Sequence, residues 1–362
     1  MFSRAQHPGE CWPCRLDGIP ESDATAIETT VLTIRMVCRE LEKPDLGVSE
    51  KAVESPLLHF ATCCGNLKAP TLIEALKVNI DGAYNVNLTF ASLMDADLTI
   101  RDFWGHPELN LYTLYSRPHK DTPWALAKTA GSSGKASEVY WEGRKSLSDT
   151  LEALFNTRVS PDMQYFVSMN FPAVIRVKLD AKSGSHQSFE TLRHAQFFGK
   201  FIGTHSDNGE LGLMGRNVHY GLIGAIRHRP RNDSPELVRF YNGAGLYITP
   251  PLSVDDKYVP RAYTSDDWEI GTAGYTYTLL YARTGPPVED GCRFAEFIPE
   301  SKVGENEDIV SFFRVAERQL RLPQQRGRRI GTLDVSDGVE NQQAGGGMAT
   351  QDIMDILRES IK

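Results

Sequence analysis

Between residues 166 and 283 the chain carries five short segments that strongly limit what it can become. They are Phe166 to Met169, Ala173 to Leu179, Tyr220 to Arg227, Leu237 to Tyr241 and Thr276 to Arg283. Each is rich in β-branched or aromatic residues and is bounded by Pro, Gly, Asn or Asp, the signature of short strands. A strand leaves its backbone N–H and C=O groups without partners inside the segment, so each must pair with a neighbouring strand. The run Val174-Ile175-Arg176-Val177-Lys178-Leu179 alternates apolar with basic residues for part of its length, so one face of that strand is expected to be wet.

The residues before these segments read differently. From Asp23 to Leu41, Ile27, Val31, Ile34, Val37, Cys38 and Leu41 recur at helical spacing. Ser22 or Asp23 is placed to cap this helix, and Pro44 follows its end. One face of it is expected to be buried. Val53 to Cys64 reads as a second helix interrupted near Pro56. Thr71 to Ile80 reads as a third, between Pro70 and Gly82. Asn85 to Leu93 alternates as a strand does, with Val86, Leu88 and Phe90 on one face. Residues 105 to 134 are loop-rich, with Pro107, Pro118, Pro123 and the run Gly131-Ser132-Ser133-Gly134. Glu138 to Phe155 is then expected to be a helix. After the strands, Glu307 to Leu320 has helical spacing and Pro323 stops it.

Beyond Pro323 the composition is polar up to Gly345-Gly346-Gly347, too poor in apolar side chains to offset the entropy of ordering. Thr350 to Ile361 then forms a short amphipathic helix that needs a surface to dock on. The expected class is therefore α+β, a helical N-terminal part followed by a mostly antiparallel sheet. Residues 1–134 form the mainly helical part. Residues 135–322 form the β-rich part, packed with it as one globular unit. Residues 323–362 form a flexible tail with the helix at 350–361.

Charge and hydropathy narrow the function. The 362 residues carry a formal net charge of −8, which argues against a nucleic-acid partner. No run of about 18 apolar residues is present, so no membrane span is expected. The first ten residues lack the apolar core of a secretory signal, so the expected location is intracellular, cytoplasmic or nuclear. The six cysteines are then read as thiols or ligands.

Two groups of residues hold candidate chemistry. Cys11-Trp12-Pro13-Cys14 has the spacing of a redox pair or half a zinc site. His7, Cys11, Cys14, His59 and Cys63 could together supply tetrahedral nitrogen and sulfur ligands, while an ordinary loop explains the same residues. Zinc is the one cofactor this raises. Cys63 and Cys64 could act as a nucleophile if a base such as His205 or His219 approached. The bland alternative is a pair of buried thiols packing as small hydrophobes. Two basic stretches, Arg227-His228-Arg229-Pro230-Arg231 and Arg326 with Arg328 and Arg329, suit solvated surface or an acidic partner.

An ordered series of segments resembles the ubiquitin-specific protease family. Ser146-Leu147-Ser148-Asp149-Thr150-Leu151-Glu152-Ala153-Leu154-Phe155 is similar to the helix opening the second part of that catalytic domain. Residues 170–179, 220–228, 237–242 and 277–283 are similar, in order, to four of its strands. The resemblance spans 146–283 and implies a papain-like, ubiquitin-protease-like fold with ubiquitin or a peptide as partner. Where the family carries its catalytic histidine, this chain reads Ser234-Pro235-Glu236-Leu237, and Thr62-Cys63-Cys64-Gly65-Asn66 stands in for the cysteine box. A cysteine protease needs thiolate, base and orienter together. The resemblance therefore implies a catalytically degenerate binding or scaffold protein. The alternatives are an active deubiquitinase-type hydrolase using Cys63 or Cys64, and a structural, coat-like assembly subunit.

Overall fold

The computed structural model describes residues 20–41, 57–58, 61, 88–120, 122–127, 138–181, 186–204, 211–231, 234–242, 245, 247–248, 261–263 and 268–285. The fold is α+β: a helical N-terminal segment, then two sheets. Helix α1 spans Glu21–Glu40 and starts from Pro20, with no side-chain cap, so neither Ser22 nor Asp23 caps it. It is buried nearly all round, not on one face. Thr25, Glu28, Thr29, Thr30 and Thr33 are as inaccessible as Ile27 and Val31.

The segment read as a strand around Phe90 is helical. Helix α2 covers Phe90–Met94 and α3 covers Asp97–Thr99, followed by a π-turn at Ile100–Trp104. Thr89 decides this locally. Its hydroxyl accepts the Ser92 N–H at 2.9 Å while Ser92 Oγ accepts the Thr89 N–H at 2.9 Å, a reciprocal capping box that outweighs the alternating pattern.

The first sheet has the order β2-β1-β5-β4, from Tyr112–Arg117 (β1), Ala125–Leu126 (β2), Thr157–Val159 (β4) and Gln164–Met169 (β5). The region read as loop thus contributes a six-residue strand, and β1 pairs with β5 along its whole length. The second sheet has the order β3-β6-β10-β8-β7. It is built from Glu138–Trp141 (β3), Val174–Asp180 (β6), His194–Thr204 (β7), Leu211–Arg227 (β8) and Thr276–Thr284 (β10). A further strand β9, Leu237–Phe240, lies end to end with β7 along the same side of β8. All pairings are antiparallel except β3 with β6.

The helix expected over Glu138 to Phe155 is in fact a strand and a shorter helix, α4, at Leu147–Leu154. Gly143, at φ 74°, turns the chain between them. Trp141 Nε1 donates to the Lys145 carbonyl at 2.9 Å, and Ser146 Oγ accepts the Asp149 N–H at 3.0 Å to start α4. A four-residue helix α5, Phe189–Leu192, precedes β7. The sheets are joined through side chains: Ser168 Oγ of β5 accepts the Ile202 N–H of β7 at 3.0 Å. Phe197 stacks between Phe155 and Tyr220, at 6.1 and 5.9 Å between centroids.

The helices expected at Thr71 to Ile80, Glu307 to Leu320 and 350–361 lie outside the described residues, as does the tail. Within the expected second helix, 57–58 and 61 are helical.

Candidate functional site

The buried N-terminal half of α1, the start of α2 and the start of β9 meet in a cluster of polar groups. β9 begins just after Glu236, whose side chain is fully buried. Its Oε1 accepts the Phe90 N–H at 3.0 Å, and its own N–H donates to Thr25 Oγ1 at 3.2 Å. The Thr25 hydroxyl in turn donates to the Ser22 carbonyl at 3.1 Å. One turn further along α1, Glu28 Oε2 accepts the Ala262 N–H at 3.2 Å, drawing in the short turn at Arg261–Tyr263. Three segments remote in sequence are thus joined to one helix by two carboxylates and a hydroxyl.

Electrostatics at Glu236 follow from this enclosure. Burial pushes its carboxyl group up to about 7, because the charged form loses its hydration. The Phe90 amide and the Arg229 guanidinium pull the other way and only partly offset burial. The guanidinium nitrogens of Arg229 are buried without a hydrogen-bond partner, and so is Glu236 Oε2. His228 closes the cluster from the sheet side. Its ring meets Phe90 edge-on at 5.6 Å, and its Nε2 shares a hydrogen bond with Thr278 Oγ1 at 2.9 Å.

A carboxyl group titrating near neutrality is in range for general acid–base work. Here, however, its geometry serves cohesion. Thr25 gives its proton to a carbonyl and takes the Glu236 amide, so the hydroxyl is not aimed at the carboxylate. The arrangement fastens α1 to the sheet and does not activate a nucleophile.

The site residues expected from sequence fall as follows. His7, Cys11, Cys14, His59, Cys63, Cys64 and His205 lie outside the described residues. His219 lies on β8 opposite Gln196 of β7 and Thr284 of β10. Burial lowers its pKa below the ordinary imidazole value. Its neighbour His194 is held down to about 4 by burial first, then by Arg193 and His219. Both imidazoles are therefore neutral at pH 7. His219 is nine residues from His228, about 30 Å along the chain at ~3.3 Å per strand residue, so it lies well away from the Glu236 cluster. Cys38, in α1, is the one cysteine among the described residues, and it is buried. No three His, Cys, Asp or Glu side chains converge as a metal site among the described residues. No helix among them is long and apolar enough to cross a membrane.

Sequence reasoning placed the stretch Ser234-Pro235-Glu236-Leu237 where the resembled family has its histidine, but did not single out Glu236 as a buried anchor. The available signal was a carboxylate directly ahead of the apolar run Leu237-Val238, where a charge needs a partner. Comparison with protein-family models and with curated proteins finds no match to the chain.

Proposed function

We propose that this chain is a catalytically degenerate, ubiquitin-protease-like protein that works as a binding module. The observation that carries the reading is the state of Glu236. It lies in the stretch Ser234-Pro235-Glu236-Leu237 that stands where the resembled family has its histidine, and its amide and Oε1 are engaged with α1 and α2. The side chain that α1 offers it is the Thr25 hydroxyl, not a thiol. A second support is spatial. The four strand segments that carry the resemblance adjoin one another: β6 pairs with β10, β10 with β8 and β8 with β9.

The test uses the full chain and two ubiquitin reagents. Immobilised ubiquitin should bind the protein saturably. A ubiquitin-based thiol-reactive probe should leave it unlabelled. Labelling that disappears in Cys63→Ala or Cys64→Ala would establish an active hydrolase instead, and absence of saturable ubiquitin binding would remove the reading altogether.

A further inference from the structure

Helix α4 runs beside the outer edge of β7 and closes part of it. Ser148 Oγ accepts the Gln196 N–H at 3.2 Å, and Glu152 Oε1 accepts the Phe198 N–H at 2.7 Å. With these amides occupied, another strand cannot add at this point. Beside the closed edge a hollow of about 280 Å³ stays open, lined by Asp149, Glu152, Ala153, Asn156, Phe198 and Lys200. Its aromatic surface is the Phe198 ring, 42% exposed. That ring lies across Gly215, where any Cβ would collide with it.

The charges around the hollow are unequal. The exposed Asp149 carboxylate has no ion-pair partner among the described residues, and Glu152 adds a second negative charge. Lys200 supplies one positive charge on the same wall, its Nζ donating to Asn156 Oδ1 at 3.0 Å, so two carboxylates face one ammonium. Arg158, just past the helix, is directed at the Ala153 carbonyl. The same molecule seats guanidinium groups on aromatic faces repeatedly: Arg117 on Trp124 at 4.1 Å, Arg216 on Phe171 at 3.7 Å and Arg239 on Trp268 at 4.4 Å. Phe198 presents a comparable face with no cation on it among the described residues. A planar guanidinium can stack on such a ring and donate a forked pair of hydrogen bonds to a carboxylate, which an ammonium cannot match.

We infer that this hollow receives an arginine side chain presented by a protein partner, stacked on Phe198 and paired with Asp149. Leu213, 52% exposed, faces the same side of the hairpin and gives an apolar neighbour of that arginine a place to rest. The inference extends the binding reading above, but its test does not use ubiquitin, so either can fail without the other.

The test is an NMR titration of the full chain with N-acetylarginine amide, against its neutral isostere N-acetylcitrulline amide. The Phe198 and Lys200 amide signals should shift saturably with the arginine compound, and affinity for the citrulline compound should be about three- to tenfold weaker. Asp149→Asn and Phe198→Leu should each weaken arginine binding to a similar extent, and added salt should weaken it further. Equal response to citrulline, unchanged response in Asp149→Asn, or no saturable shift at these amides would overturn the assignment.

Discussion

Glu236 is fully buried, and its carboxyl group titrates at about 7 because lost hydration outweighs what Phe90 and Arg229 return. The ordinary value is 4.5. As pH rises from about 4.5 to about 7, the unfolded chain releases this proton while the folded chain keeps it. Stability therefore falls across that window, by about 3.5 kcal/mol at most at ~1.4 kcal/mol per pH unit, and is level above it. Glu236→Gln keeps an acceptor for the Phe90 amide but removes the ionisation. In urea denaturation it should gain on the native protein at pH 8 and show no such gain at pH 4. His194 acts in the opposite sense. Its folded pKa of about 4 lies below the ordinary 6.5, so the unfolded chain takes up a proton first as pH falls. Its contribution is complete above about 6.5 and is lost on the way down to about 4. His194→Gln should gain on the native protein as pH is lowered through that range, and the two difference curves should slope in opposite directions.

At the scale of elements, the starts of α2 and α4 are decided by side-chain hydroxyls. Ser146→Ala removes the acceptor for the Asp149 N–H and should cost about 1 kcal/mol, measured by urea denaturation. The same chemistry explains where the sequence was misread. Alternation around Val86, Leu88 and Phe90 suggested a strand, but the Thr89 and Ser92 capping box starts a helix there. Apolar spacing over Glu138 to Phe155 suggested one helix, yet Gly143 in the left-handed region divides it. Val139 and Trp141 point inward from a strand, and Leu147, Leu151 and Leu154 point inward from a helix. Strand β7 and the first half of β8 gave no clear signal, because Gly199, Gly203, Gly212 and Gly215 interrupt them and lower strand propensity. Gly199 is required by packing. A Cβ there would lie 2.5 Å from Met169 Sδ and 3.0 Å from the Phe171 ring. Gly199→Val should destabilise by about 1–3 kcal/mol in the same measurement.

Across the whole molecule, cohesion depends on side chains that reach between distant segments. Arg176 of β6 is buried, pairs with Asp95 at 2.9 Å and Glu138 at 3.5 Å, and lies 4.7 Å from the centre of the Trp104 ring. It joins the turn after α2, strand β3 and the π-turn. Its partners keep contact with water, since Asp95 is 44% exposed. Arg176→Met, which strands no fully buried charge, should therefore cost clearly less than Trp104→Ala, expected at about 3–5 kcal/mol for a buried aromatic. Thermal unfolding of the two variants checks the order.

By itself, the sequence determined the α+β class, the long helix α1 and all five strands named from their composition. These rest on local pattern, since period and propensity act within a few residues. The register of those strands, the parallel addition of β3 and the seating of α1 against β9 were decided only in three dimensions. So was the conversion of Glu236 from a polar residue at a strand end into a buried pin. Each depends on partners tens to hundreds of residues away, as in the bonds from Glu236 to Phe90 and Thr25 and from Glu28 to Ala262. Local propensity carries no record of such contacts. They exist only because burial leaves each polar group no solvent to bond with and the fold supplies one specific partner.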